Sequence, residues 1–351
     1  MYGASINSDV GSVGNVMQLV IGGSVIADRY ALHGEALLSE LTELICDCLL
    51  APNAKDGAFN AEEYQIAKQE LLDAIDAEIN NKRGYALMRA RRTAFQSEPD
   101  AHPVYGTKED VEQLTPESVY AAYCEILRRA VIRVYYVGSE EAPQLAGQLR
   151  EAFGSLERAP EPLVFHAPSP YKPETVTVTE PMDVTQSKLV MVFKAHGVSA
   201  ETLRMFSAVF GGTPFSLLFT NVREKESLCY YCASRVLVFK EALIVDSGVE
   251  LANAERAREA ILEQLDRMRR GDFEDILLEN TKHSMVNALR SIGDTPGSCI
   301  NEQFEKFCRQ DNADVEERIN RYLTLTKEDM AAVANALVLD TVYLMEQGGT
   351  A

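Results

Sequence analysis

The sequence predicts an α+β fold in which two tandem homologous domains each form a sheet covered by helices. The two halves repeat each other. LTPESVYAAYCEILRRAVIRVYYVG (114–138) and LTKEDMAAVANALVLDTVYLMEQG (325–348) both run Leu-Thr-x-Glu, helix, apolar strand, Gly. Near the front, YGAS (2–5) and YCAS (231–234) each open a predicted hairpin. Matches at both ends, in the same order, indicate that one α+β unit is used twice.

Between the repeats, residues 156–174 hold five prolines, which is typical of a linker. We therefore predict domains over residues 1–155 and 175–351, joined by this Pro-rich segment.

The first half begins with a predicted pair of strands over residues 2–24, punctuated by Gly11 and Gly14. A helix is predicted from Arg29 to Leu50, because apolar residues recur there at helical spacing. Pro52 is expected to end it.

The next predicted helix begins near Asn60, where Glu63 lies three residues on, as in a capping box, and it extends towards Phe95. A further helix follows Thr115, a good N-cap, with Pro116 at its first position. The half closes with a predicted buried strand, AVIRVYYVG (130–138), and a helix over residues 142–153.

The second half contains a longer series of elements. The predicted elements are strands over 175–180 and 187–194, helices over 199–210 and 214–224, a hairpin over 228–249, four helices between 252 and 337, and a strand over 339–346. About 45 residues (187–230) precede this hairpin, whereas the first half starts with its hairpin. The first domain is therefore expected to lack its opening strand and helices. Either they were lost or Met1 is an internal Met of a longer protein, and in both cases an open sheet edge and apolar faces need cover.

Composition excludes several classes of function. The chain has 34 Lys and Arg against 53 Asp and Glu, a net charge of -19, so nucleic acid and anionic lipid are not expected as partners. We see neither an apolar run of about 18 residues nor a signal peptide. The seven cysteines are scattered and odd in number, which argues against a disulfide framework and predicts a cytoplasmic location.

The segment FGGTPFSLLFTNVREKESLCYYCASRV (210–236) resembles the C-terminal-domain signature of the insulinase/pitrilysin metallopeptidase superfamily. Its Gly-Gly, Ser-Leu-Leu-Phe and Arg-Glu-Lys-x-x-Leu-x-Tyr carry the resemblance, together with the duplication and the linker. The resemblance covers nearly the whole chain and implies domains of the mitochondrial-processing-peptidase type. MYGASI and NNKRGYA (80–86) look like a bacterial, often non-catalytic subgroup that is described as associated with elongation factor P modification.

Active members of that superfamily bind zinc through HxxEH and a downstream Glu. The five histidines here, at positions 33, 102, 166, 196 and 283, form no such motif. The third-ligand position falls on Ala74 in KQELLDAIDAEINNK, so no metal ligand and no cofactor are expected. Glu70 and Glu78 lie one turn off, and only a one-residue slip in the alignment would bring in Asp73 and zinc.

The resemblance implies that Arg223 and Tyr230 bind substrate, since the matching residues of active members reach across to the peptide. The alternative is structural: Arg223 caps a helix and Tyr230 packs in the sheet. Cys229 and Cys232 form a CxxC, but positions three apart in a regular strand face opposite sides, so we expect buried structural cysteines rather than a metal site.

The residues and the resemblance leave three functional hypotheses. The preferred one is a non-catalytic subunit that binds a peptide and completes a heterodimer with a homologous HxxEH-bearing subunit, or pairs with itself. The second is a zinc-dependent endopeptidase whose HxxEH motif lies upstream of this chain. The third is a purely structural assembly subunit.

Overall fold

The computed structural model describes residues 2–96, 98–138 and 142–348. The chain divides into two compact units. The first unit comprises residues up to Asp76, Val104–Val164 and Cys299–Gln303; the second comprises Ala77–Pro103, Phe165–Ser298 and the residues from Phe304 onward. The segment Ala77–Pro103 thus belongs to the second unit, although it precedes the predicted linker. Compactness does not test homology, so the predicted domain limits of 1–155 and 175–351 stay a prediction.

For most of the chain, the order of strands and helices agrees with the one predicted from the sequence. The strands are β1 (Ser5–Val13), β2 (Val16–Ser24), β3 (Ala54–Lys55), β4 (Ala58–Phe59), β5 (Val176–Met182), β6 (Ser187–Lys194), β7 (Cys229–Leu237), β8 (Ala242–Val249) and β9 (Val338–Gln347). The helices are α1 (Leu37–Leu50), α2 (Ala61–Ala77), α3 (Lys82–Ala94), α4 (Lys108–Gln113), α5 (Pro116–Arg129), α6 (Pro143–Gly154), α7 (Ala200–Ser207), α8 (Ala254–Arg269), α9 (Asp275–Arg290), α10 (Pro296–Arg309), α11 (Val315–Leu323) and α12 (Lys327–Ala336). Within the described ranges, none of these helices combines the length and apolarity needed to cross a membrane.

In the first unit, β1 and β2 form the predicted antiparallel hairpin, in continuous register from Ser5 opposite Ser24 to Val13 opposite Val16. Many of its apolar side chains are exposed; Leu19, for example, is 55% accessible. Among the described residues these two strands pair only with each other.

Helix starts in the N-terminal half of the sequence follow their capping residues. The Asn60 side chain accepts hydrogen bonds from the backbone of Glu62 and Glu63 and so begins α2. The Thr115 hydroxyl accepts from Ser118 N and begins α5, as predicted. The predicted extension of α2 towards Phe95 is interrupted, because Asn81 ends one helix and its side chain caps the next, α3.

Three predicted elements are wrong in detail. The strand predicted over 130–138 forms no ladder in the described structure, and Val134 is exposed, because a strand needs a neighbouring strand for its backbone hydrogen bonds and none lies beside it there. The helix predicted from Arg29 begins only at Leu37, after a loop in which Gly34 adopts a left-handed conformation. Between residues 252 and 337 there are five described helices, not four.

The second unit is built on a five-stranded sheet of order β5-β9-β6-β8-β7. β5 runs parallel to β9, and the other neighbours are antiparallel. Alternate side chains of the central strands enter two separate cores. Met191 and Val245 pack against α7, α8, α9 and α12, whereas Val190, Val192 and Ile244 pack against α3 on the opposite face.

Buried ion pairs hold the C-terminal end of α3 to this sheet. Lys194 is 1% exposed; its Nζ contacts Asp340 at 2.9 Å and donates to the carbonyl of Ala94 at 3.1 Å. Lys172 Nζ contacts Asp340 at 3.0 Å and donates to the carbonyl of Thr93 at 2.7 Å. Two lysines therefore satisfy the last carbonyls of the helix and neutralise one buried carboxylate.

Candidate functional site

The predicted substrate-binding tyrosine lies at a break in the edge strand β7. Cys229 lies opposite Val249 and Tyr231 lies opposite Gly248, so Tyr230 is an extra residue between two ladder positions. A bulge of this kind turns a side chain away from the regular alternation of the strand. Tyr230 is 59% exposed, and therefore does not pack in the sheet as the structural alternative supposed.

The Tyr230 hydroxyl donates a hydrogen bond to Glu250 Oε1 at 2.5 Å. This bond to a carboxylate, together with the charge of Glu250, raises the pKa of Tyr230 above its ordinary value. The phenol is consequently protonated at neutral pH and can act as a donor.

Arg223 lies close to Tyr230. It belongs to a π-helical segment, Leu218–Lys225, that leads into β7, and its Nε donates to the Tyr230 carbonyl at 2.9 Å. Its guanidinium lies 4.6 Å from the centre of the Phe219 ring and 3.2 Å from Glu224 Oε1. The side chain thus binds the strand rather than the end of its own helix. The structure brings together the two residues that the sequence singled out, while their role in binding substrate stays a prediction.

The position predicted for the third zinc ligand, Ala74, lies on α2 and is exposed. Its neighbour Asp73 accepts a hydrogen bond from Gln69 at 2.8 Å. In the described ranges of the chain, His, Cys, Asp and Glu side chains form no group of three or more that could hold a metal ion.

The prediction that Cys229 and Cys232 face opposite sides is wrong. Because Tyr230 is an extra residue, Cys229 and Cys232 lie opposite Val249 and Ser247, two residues of β8 that share a face. The hydrogen bond between the two thiols lowers the pKa of Cys229 to about 7, against the effect of burial and assisted by Ser247 and the charge of Arg223. The same hydrogen bond and burial raise the pKa of Cys232 well above its usual range.

A cavity of about 500 Å³ next to the start of α7 was missed by the sequence analysis. Glu241 lines it in a left-handed backbone conformation (φ 47°) and accepts from Gly197 N at 2.9 Å. Its other carboxylate oxygen lies 2.9 Å from His166 Nε2. No local sequence pattern marks a glutamate for this conformation, so only the fold reveals the pair. Nearby, His196 Nε2 lies within hydrogen-bond distance of the Ser169 carbonyl, at 2.7 Å.

Comparisons with known proteins agree with the fold and with the resemblance. The family profile described as "Peptidase M16 inactive domain" matches residues 113–285. The chain is 28% identical over 351 residues to the "Probable inactive metalloprotease YmfF" of Bacillus subtilis (strain 168), covering 99% of this chain and 82% of that protein.

Solved structures agree as well. A conserved protein from Enterococcus faecalis V583 superposes with a TM-score of 0.91 at 26% identity, over 99% of this chain and 83% of that one. A peptidase M16 inactive domain from Pseudomonas fluorescens superposes with a TM-score of 0.75 at 14% identity, over 99% and 82% of the two chains, and shows the fold alone. The predicted two-domain peptidase-like fold is confirmed, and the names of the matching profile and of the Bacillus subtilis relative agree with the prediction of an inactive homologue.

Proposed function

We propose that this chain, which belongs to the M16 (insulinase-like) peptidase superfamily and is an inactive homologue of its metallopeptidases, binds peptides without cleaving them and supports a zinc-binding relative. The observation that carries the proposal is the Arg223–Tyr230 pair at the bulge of β7. Such a pair supplies binding groups and requires no metal. The proposed setting is the reducing cytoplasm, which suits a chain whose seven cysteines are free thiols.

The hydrogen-bonding groups of the Arg223–Tyr230 pair suit a peptide backbone. Tyr230 places a protonated hydroxyl and a large ring in solvent, and Arg223 is held in position by the strand carbonyl that it binds. The carboxylates of Glu224 and Glu250 lie on either side, at 3.2 Å and 2.5 Å from the two side chains. Peptide carbonyls would accept from Arg223, and peptide N–H groups or basic side chains would donate to the Tyr230 oxygen and to the two glutamates.

The test is direct binding. A fluorescein-labelled, unstructured 15-residue peptide of zero net charge is titrated with the protein and followed by fluorescence anisotropy. Arg223→Ala is expected to weaken binding about tenfold, because truncation of a charged anchor typically costs more than about 1 kcal/mol. Tyr230→Phe is expected to weaken it less, since the ring remains.

Arg267→Ala is the matched control, because Arg267 is an arginine of similar exposure that pairs with Asp272 on α8. Equal affinity of the wild type, Arg223→Ala and Tyr230→Phe would contradict the proposed binding pair. So would an absence of peptide binding by the wild type.

A second function, structural assembly, is favoured by one separate observation. The β1–β2 hairpin exposes a row of large apolar side chains that a partner subunit would cover. These residues, which share one face of the hairpin, are Ile6, Val10, Met17 and Leu19. If the activity of a zinc-binding partner survives Arg223→Ala and Tyr230→Phe but is lost with Leu19→Asp, the chain is an assembly subunit and not a peptide clamp.

A further inference from the structure

A group of positive side chains surrounds one buried carboxylate where the N-terminal end of α3 meets the sheet. Asp246 of β8 is 1% exposed. Its Oδ2 accepts from Arg83 Nε at 2.6 Å, and its Oδ1 is contacted by Arg235 Nη2 at 3.2 Å. A buried carboxylate needs one opposite charge. Here it has two, and each arginine side chain remains about half exposed (43% and 47%).

Lys188 supplies a third cation on the same face of the sheet as Asp246. The Tyr231 ring lies 4.3 Å from the guanidinium carbon of Arg83, and Lys188 Nζ lies 5.9 Å from the ring centre. The ring packs directly on the backbone of Gly248, where a Cβ atom would come within 2.5 Å of Tyr231 Cε1. A glycine is therefore needed for the aromatic platform that the cations share.

Charge in this group does not balance. Arg83, Lys188 and Arg235 carry three positive charges against one negative charge on Asp246. Glu180, an acid on the same face, is engaged elsewhere: it accepts from Arg89 at 3.0 Å and from the Tyr343 hydroxyl at 2.7 Å. Burial and repulsion by Arg83 lower the pKa of Lys188, so this lysine has a positive neighbour and would gain from an added negative one.

We propose that Arg83, Lys188 and Arg235 form a binding site for a carboxylate group of a peptide ligand. The three side chains present N–H donors and no acceptors, which suits an ionised carboxylate, and two guanidiniums can each offer a planar fork to it. The protein as a whole carries a net charge of -19, which repels such a group, so a local excess of positive charge is what would attract it here. The identity of the ligand as a peptide rests on the proposed function; the preference for a carboxylate rests on the charges alone.

The carboxylate has two sources in a peptide, a side chain or the C-terminus, and three labelled nine-residue peptides separate them. The first alternates Glu and Ala and is blocked at both ends; the second replaces Glu by Gln; the third is the Gln peptide with a free C-terminus. The first or the third is expected to bind about tenfold more tightly than the second, and whichever does so identifies the source.

Substitutions locate the contact. Arg235→Gln and Lys188→Gln are each expected to remove most of that tenfold preference and to leave the affinity of the blocked Gln peptide unchanged. Arg83 is left intact, because it neutralises Asp246. Arg89→Gln is the matched control. Arg89 lies on α3, the helix that carries Arg83, and its charge is balanced by that of Glu180. Equal affinities for the three peptides, or equal loss with Arg89→Gln, would overturn the proposal.

A second measurement tests the proposed carboxylate site without any peptide. Acetate is titrated into ¹⁵N-labelled protein, and the Nε–H signals of Arg83 and Arg235 are followed by NMR. Saturable shifts that weaken in Lys188→Gln support the carboxylate site even if no peptide binds, in which case only the proposed peptide function fails. If the signals do not move while the blocked Gln peptide still binds through Arg223, the carboxylate site is refuted and peptide binding stands.

Discussion

The two hairpins of this molecule begin with similar sequences but differ in how deeply their residues are buried. YGAS opens β1–β2 and YCAS lies in β7–β8, yet every residue of β8 is buried while most of β1 and β2 is exposed. β8 lies between β6 and β7 in a five-stranded sheet, whereas in the described structure β1 and β2 have only each other. A hairpin pattern in the sequence therefore specifies local pairing, and the burial of its apolar residues depends on what lies beside it.

The largest expected difference between the hairpins is in leucine truncation. Leu243 of β8 is fully buried, so Leu243→Ala should lower the free energy of unfolding of the second unit by about 2–5 kcal/mol. Leu19→Ala in β2 should change stability by less than about 0.5 kcal/mol, because the side chain is already in water. Urea denaturation followed by hydrogen exchange of each hairpin checks both, and equal losses would mean that β1–β2 is covered in solution.

Glycines give a second matched pair. Gly248→Ala would force a Cβ within about 2.5 Å of Gln186 and Tyr231, so we expect a loss of about 1–3 kcal/mol in thermal or urea unfolding. Gly11→Ala in β1 places the new Cβ 3.5 Å from Gln18, an ordinary contact, and should be neutral or slightly stabilising. A neutral Gly248→Ala would show that the Tyr231 ring can move away from the strand.

Acid is expected to have a smaller effect on stability, and this effect should fall on the sheet of the second unit. The pKa of Asp340 is lowered despite its burial, because Lys194, Thr341 and Lys172 bond its ionised form. A carboxylate with a lowered folded-state pKa stabilises the protein above its unfolded value of about 4, and this contribution disappears as pH falls through the lowered value. Unfolding of the sheet of the second unit, followed between about pH 5 and pH 2, should therefore lose stability in that window, and Asp340→Asn should flatten the dependence. An unchanged slope in Asp340→Asn would assign the acid sensitivity to other carboxylates.

The smallest expected effect is on the reactivity of a thiol at the β7 bulge around Tyr230. The β1–β2 hairpin, whose register is continuous, has no such bulge. With a pKa of about 7, Cys229 should be alkylated by iodoacetamide with a half-maximal rate near pH 7, below the value of about 8.5 for an ordinary thiol. Cys232→Ala removes the partner thiol and should move the profile upward by a fraction of a pH unit to one unit. Mass spectrometry of the labelled peptide gives the rates, and identical profiles for the two proteins would exclude thiol–thiol hydrogen bonding.

Local signals predicted much of this fold. The two Leu-Thr-x-Glu segments both begin helices, since Thr115 and Thr326 each accept a hydrogen bond from the backbone three residues on. The sequence could not predict the structure of the apolar segment after each helix. β9 lies between β5 and β6, while the equivalent apolar segment 131–138 has no ladder partner in the described structure, and strand formation depends on that distant partner.

The sequence singled out the residues of the candidate site but not their geometry. Family resemblance selected Arg223 and Tyr230, and the structure places them in contact. The bulge that exposes Tyr230 and brings the two thiols onto one face depends on the count of residues in β7 against β8, which alternation within one strand does not reveal. The charges around Asp246 of β8 come from α3, β6 and β7, so only the assembled sheet brings them together.

Because Tyr230 stands between two ladder pairs rather than in one, its backbone is an insertion that the sheet does not need for its pairing. Deletion of that single residue would leave Cys229 opposite Val249 and Tyr231 opposite Gly248, with a regular strand on either side. Evolution can therefore add, replace or remove the exposed tyrosine without rebuilding the domain. The same scaffold can in this way carry a different exposed side chain at the edge of its sheet.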